Sequence, residues 1–210
     1  MTTVVSDVMT RNVVSVRKHA QFKEIALVMR ARQLSAFPVL DSNDKVVGVV
    51  SEDDLLVKES YQAEHPGFLA RRGDKAKAAA LTAAELMTRP AITVRPEASV
   101  AEAARLMHTK HVKRLPVVGA DGKLVGVVSR VDLLGVYDRP DDDIRTEILK
   151  RVIGTGFGLD SLAFQVRVVA GVVTIAGPVE REPVALSLLD AVREVDGVVA
   201  VRDRLSYPRS

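Results

Sequence analysis

The sequence predicts an α+β protein: two β-α-β-β-α repeats packed face to face as one module, followed by a small αββαβ domain. Three observations lead there. The stretch GVVSEDDLL is written again as GVVSRVDLL, with Ser51 and Ser129 lying 78 residues apart and Asp54 and Asp132 keeping the same offset. Sliding the chain on itself by that offset aligns MTRNVVSVRKHAQFKEIALVM with MTRPAITVRPEASVAEAARLM, and FPVLDSNDKVVGVVSEDDLL with LPVVGADGKLVGVVSRVDLL, without a gap. Roughly 40% of the aligned positions are identical, which marks an internal duplication. Third, the composition shifts after Asp138, where RPDDD opens a segment that matches neither copy.

The elements follow in order. Residues 1–57 form the first copy and residues 83–138 the second. In each, a short β-branched run (Val13–Val16; Ala91–Val94) precedes an amphipathic helix. Phe22, Ile25, Ala26 and Met29 fall at helical spacing in the first, and Val100, Ala103, Ala104 and Met107 in the second. Ser99 and Glu102 have capping-box spacing. A Pro-containing apolar run, a turn (SNDK; ADGK) and a strand with an internal Gly come next, and a short helix starting at Ser-x-x-Asp closes each copy. Residues 58–82 form a connection, with Thr82 and Glu85 spaced to cap a helix. Its Arg71, Arg72, Lys75 and Lys77 read as solvated charge, the alternative being a basic contact patch. Residues 139–210 read as a helix (Ile144, Ile148, Leu149, Val152), a Gly-rich loop, and a strand with Phe164, Val166 and Val168 on one face. A turn at Gly171, a strand through Val173 and Ile175, a helix with Val184, Leu188 and Val192, and a last strand Val198–Val201 complete them.

Composition bounds the function. With 47% hydrophobic and 4% aromatic residues and no Trp in 210 positions, the cores are aliphatic. Lys+Arg 30 against Asp+Glu 27 leaves +3, too weak a single-sign field to point to nucleic acid. The absence of Cys excludes disulfides and thiolate metal sites. MTTVVSDVMTRNVV has no basic n-region followed by an apolar h-region, and no apolar run is long enough to span a bilayer. The expected location is the cytoplasm.

Ser-x-x-Asp before apolar residues is, first, a helix N-terminus: the serine caps free N–H groups and the aspartate sits in the first turn. The same geometry suits an anion, because the exposed N–H groups and the serine hydroxyl can meet phosphate oxygens. An aspartate one turn in can accept two hydrogen bonds from a vicinal diol. Together the two residues describe a nucleoside monophosphate.

Residues 8–57 and 86–135 resemble a pair of CBS domains, the tandem arrangement called a Bateman module. The marks are matched twice: VMT and LMT, the hydrophobic-Pro-Val strands (Phe37-Pro38-Val39; Leu115-Pro116-Val117), and Gly-h-h-Ser-x-x-Asp. The resemblance implies an adenosine ligand (AMP, ADP, ATP or S-adenosylmethionine) between the repeats, with no cofactor required. It also implies that Ser51 and Ser129 contact phosphate, Asp54 and Asp132 contact ribose, and backbone near Val14 and Ile92 lines the adenine slot. Lys113-Arg114, where the first copy has Ser35-Ala36, would reach the phosphates. Pairs of this family commonly dimerise through their helices, so a homodimer is expected. FQVRVVAGVVTIAGPVE and VREVDGVVAVRDRL make residues 141–206 resemble the BON family, which implies membrane attachment or protein assembly. No aromatic or basic membrane face is legible here.

Other constellations carry less. His108-x-x-His111 lacks a third ligand nearby and reads as a solvated helix end. GTGFG at 154–158 follows a helix where a phosphate loop needs a strand, and reads as a helix exit. No nucleophile stands paired with a base, so an enzyme is the poorer reading. The expectation is a regulatory adenine-nucleotide sensor that signals to the BON segment or an unknown protein partner. The alternative is a scaffold attaching to membranes or assemblies. Glu52 and Asp53 crowd the first phosphate position with carboxylates whereas Arg130 follows Ser129, so one dominant site is expected around Ser129, Arg130 and Asp132.

Overall fold

The computed structural model describes residues 3–62 and 79–207. These divide into two compact units, one of Val4–Arg130 and one of Thr3 with the residues from Val131 onward. The basic cluster Arg71, Arg72, Lys75 and Lys77 lies outside the described residues.

In the first unit, the opening turn α1 (Val5–Val8) leads to β1 (Val16–Arg17), α2 (Phe22–Arg32), β2 (Ala36–Leu40), β3 (Val46–Ser51) and α3 (Glu52–Gln62). The second copy repeats this with α4 (Ala83–Leu86), α5 (Val100–Thr109), β4 (Arg114–Val118) and β5 (Leu124–Ser129). The helix α6 (Arg130–Leu134) follows it and straddles the division between the units. β2 and β3 pair antiparallel, and β4 and β5 pair in the matching register, each with an irregularity before the last pair. Ser99 caps α5 as expected, its Oγ accepting from Glu102 N at 3.1 Å. The Glu85 carboxylate accepts from Leu81 N at 2.7 Å and Thr82 N at 3.0 Å, closing α4 from its N-terminus.

Two expectations shrink. The runs 13–16 and 91–94 contribute only Val16–Arg17, parallel to Val39–Leu40, and one bridge from Val94 to Val117. The residues just before them are committed elsewhere, so the ladder starts late. Ala104 is exposed, whereas Val100, Ala103 and Met107 are buried and Leu106 half-buried, because the core stripe of α5 is narrower than the apolar count suggests.

The copies do more than pack face to face: their opening segments are exchanged. Thr10 of the first copy pairs with Val127 of the second through two 2.9 Å hydrogen bonds, and Thr88 of the second pairs with Val49 of the first at 2.9 and 3.1 Å. Ala83, Leu86 and Met87 join the first copy's core beside Ile25, Phe37, Val39 and Val50. Methionine packs on glycine at both crossings: a Cβ at Gly48 would lie 2.5 Å from the Met87 sulfur, and one at Gly126 2.5 Å from the Met9 sulfur. Hence each strand carries its glycine and each copy opens on Met-Thr.

The second unit holds α7 (Asp141–Glu147), β6 (Gln165–Val169), β7 (Val172–Pro178), α8 (Glu182–Arg193) and β8 (Ala200–Ser206). β7 is central, antiparallel to β6 and parallel to β8. Ala170 and Gly171, both at positive φ, form the two-residue hairpin turn, whose N–H groups donate to Asp141 at 2.7 and 2.9 Å. Two boundaries move. α7 continues in wider π-type winding over Ile148–Gly156, through the expected loop, and the left-handed exit falls at Gly158. Burial of Ile148, Val152 and Ile153 on the core outweighs two interior glycines, each costing about 1 kcal/mol. The last strand is Ala200–Ser206 instead of Val198–Val201, because pairing with Val172–Pro178 sets its span. No helix among the described residues is long and apolar enough to cross a membrane.

Candidate functional site

The ends of β3 and β4 and the loop after the second Met-Thr enclose a cavity of about 190 Å³ in the first unit. From the first copy it receives Ser51, Glu52, Asp53 and Asp54; from the second, Thr88, Ile92, Lys113 and Arg114. The antiparallel register explains why: Ser51 ends β3 opposite Ala36, and Ser129 ends β5 opposite Arg114, so the two copies present Ala36 and Arg114 at equivalent places.

Asp54 is the one buried charged residue among those described, at 6% exposure. Its Oδ2 accepts from Ser51 N at 2.7 Å and from Ser51 Oγ at 2.8 Å, the return half of a capping box. Its Oδ1 accepts from Thr88 Oγ1 at 3.4 Å, so the carboxylate ties the N-terminus of α3 to the crossing segment of the other copy. A carboxylate offers about four acceptor positions, so these contacts and a ligand hydroxyl can coexist.

Arg114 brings the opposite charge. Its Nε is buried without a hydrogen-bond partner. A buried unsatisfied donor costs about 1–3 kcal/mol; the residue itself lines the cavity and has no carboxylate partner among the described residues. Lys113 Nζ stands 3.8 Å from Glu52 Oε1, a solvated pair between the copies at the rim of the cavity, with side chains 67% and 50% exposed.

The structure therefore brings together Ser51, Asp54, Ile92, Lys113 and Arg114. Val14, Ser129, Arg130 and Asp132 do not line this cavity. Val14 packs against the first copy's core, and Arg130 Nε donates to Val112 O at 3.2 Å. Ser129 ends β5, Asp132 sits in the first turn of α6, and both have partners of their own. Arg114 stays opposite Ser129 in the β4–β5 ladder, while Lys113 and Arg114 line the cavity that holds Ser51, because the copies are interleaved. Thr88, also in the lining, is not among the site residues read from the sequence, and His111, expected as a solvated helix end, lines it too. Thr88 could have been found, since Met-Thr recurs in register.

The second unit corrects one further reading. Arg167 lies opposite Thr174, which lies opposite Arg202, and Arg204 follows two residues along the same face. All three arginines are exposed, with no ion pair or hydrogen bond of their own among the described residues. A basic face thus exists, built by register from strands distant in sequence.

Two interleaved α+β repeats around a cleft lined by opposite charges define a tandem-repeat module, followed by a separate α+β domain. The chain belongs to the CBS-domain family: the CBS domain model matches residues 5–60 and 83–139, and the BON domain model matches 140–209. It is 31% identical over 132 residues to an uncharacterized protein of Methanopyrus kandleri, covering 63% of this chain and 61% of that one. It is 28% identical over 134 residues to an inosine-5′-monophosphate dehydrogenase of Nitrosopumilus maritimus, covering 64% of this chain but only 24% of the enzyme. Among solved structures it is similar to CBSX2 of Arabidopsis thaliana, solved in complex with AMP, at 30% identity and a TM-score of 0.56 over 63% of this chain and 94% of that one. The CBS domain pair of protein MJ0100, in complex with 5′-methylthioadenosine and S-adenosylmethionine, shares the fold at 20% identity and a TM-score of 0.54, over 66% and 98% of the two chains.

Proposed function

We propose that this protein is a cytoplasmic, non-catalytic sensor of an adenine nucleotide, and that the nucleotide occupies the Ser51–Arg114 cleft. The observation that carries the reading is a cavity lined by Arg114, which has no carboxylate partner among the described residues, together with Ser51 and Asp54. Arg114 meets the phosphate, the Ser51 hydroxyl turns from Asp54 to join it, Asp54 accepts from the ribose, and the backbone near Ile92 lies along the base. AMP in the related CBSX2 structure supports an adenosine ligand. Because both copies build the cleft, a ligand that binds one arrangement of them better shifts the population toward it. The BON segment or a protein partner reads that shift.

Calorimetry on the purified full chain with AMP tests this. Asp54→Asn is expected to weaken binding by roughly tenfold or more, the equivalent of about 1.4 kcal/mol, while Asp132→Asn leaves it nearly unchanged. Equal losses would move the site to both copies, and no binding by the unaltered protein would remove the reading. The exposed helix positions Leu27 and Leu56, at 69% and 60%, support a homodimer through the helices.

A second reading, a scaffold that docks through its BON domain, is favoured by the exposed Arg167, Arg202 and Arg204. It predicts attachment to an anionic surface that weakens with salt and is lost when the three arginines become serine, whether or not nucleotide is present.

A further inference from the structure

Resting on the reading of the cleft as a nucleotide site, we propose that it selects a nucleoside 5′-monophosphate, discriminating both against the neutral nucleoside and against di- and triphosphates. The two limits come from different residues. The lower limit is Arg114. Arg114 lines the cavity without a carboxylate partner among the described residues, and its guanidinium bonds most strongly to an anionic oxygen, which a neutral nucleoside does not bring. One phosphate supplies that oxygen.

The upper limit is the carboxylate content of the lining. Against Lys113 and Arg114 stand Glu52, Asp53 and Asp54, all contributed by the first turn of α3. Lys113 is already shared with Glu52 at 3.8 Å. Asp54 is engaged by Ser51 and Thr88 and stays in place. The first phosphate takes Arg114, the lining's one arginine, which has no carboxylate neighbour among the described residues. Each further phosphate then adds charge beside Glu52 and Asp53, where the remaining basic side chains are Lys113, already shared, and His111, and like charges a few ångströms apart repel strongly away from bulk water. The equivalent places after Ser129 are Arg130 and Val131, so the acidic pair belongs to the first copy's cap alone.

The test is calorimetry on the full chain with adenosine, AMP and ATP, in the presence of a chelator so that no divalent cation masks the phosphates. AMP is expected to bind tightest, with adenosine and ATP each roughly tenfold weaker or more. Glu52→Gln combined with Asp53→Asn should narrow the AMP-to-ATP ratio, and Arg114→Gln should narrow the AMP-to-adenosine ratio. Each variant is read as a ratio of two ligands on one protein sample, so a loss of folded material cannot mimic the result. If AMP binds but ATP binds as tightly, or the acidic double variant leaves their ratio unmoved, the selectivity is overturned and the nucleotide site stands. If none of the three binds, both readings fall.

Discussion

Copy two carries Arg114 where copy one carries Ala36, and that difference between otherwise matched repeats gives the cleft its polarity. Asp54 shows a second consequence of position: the residue that completes a helix cap is also held by Thr88 of the other copy, so capping and inter-copy contact share one carboxylate. In the second unit Glu147 plays a purely structural part. Burial opposes its ionised form, but hydrogen bonds from Arg139 at 2.8 Å and Arg151 at 2.6 Å outweigh this and hold its carboxyl below the ordinary glutamate range. A group whose folded value is depressed stabilises above its unfolded value and loses that contribution as pH falls through the folded one. Glu147→Gln should therefore cost about 1–3 kcal/mol at neutral pH, the scale of charge-assisted hydrogen bonds in a half-buried setting. The gap between the two proteins should close below the ordinary glutamate range, as read by denaturant unfolding at a series of pH values. A gap independent of pH would assign the effect to packing.

At the scale of elements, the exchange of opening segments makes two glycines obligatory. Gly126 faces the Met9 sulfur and, at 3.2 Å from a would-be Cβ, the carbonyl of Thr10, which is itself bonded to Val127. Gly126→Ala should destabilise by about 1–3 kcal/mol through overpacking against a backbone that cannot retreat. Gly135, beside which a Cβ would meet nothing within 4 Å, is the matched control. There the same substitution should be neutral or stabilise by up to about 1 kcal/mol by restricting the unfolded chain. Thermal melts of the two variants separate a local steric cause from a general intolerance of alanine.

For the whole molecule, the interleaved pair closes its own core within Val4–Arg130, so residues 1–138 should fold and bind AMP without the BON segment. An unfolded fragment, or a folded one that no longer binds, would show that the BON segment completes the site. Light scattering tests the homodimer: a mass twice that of the chain is expected, and a monomer at every concentration would remove it.

By itself the sequence determined the duplication, the order of elements, the caps at Ser99 and Glu85, and the chemistry of Ser51, Asp54, Lys113 and Arg114, because these depend on spacing within ten residues or on a repeat offset. Only the tertiary structure decided which of them meet. Lys113 and Arg114 join Ser51 because each copy's Met-Thr segment crosses to the other, a long-range pairing that no local period encodes. The same reason hid the basic sheet face: Arg167 and Arg202 become neighbours only through the register of β7 between them. It also carried the helix through Gly154 and Gly156, since burial of Ile153 is a property of the packed core and propensity is a property of the chain.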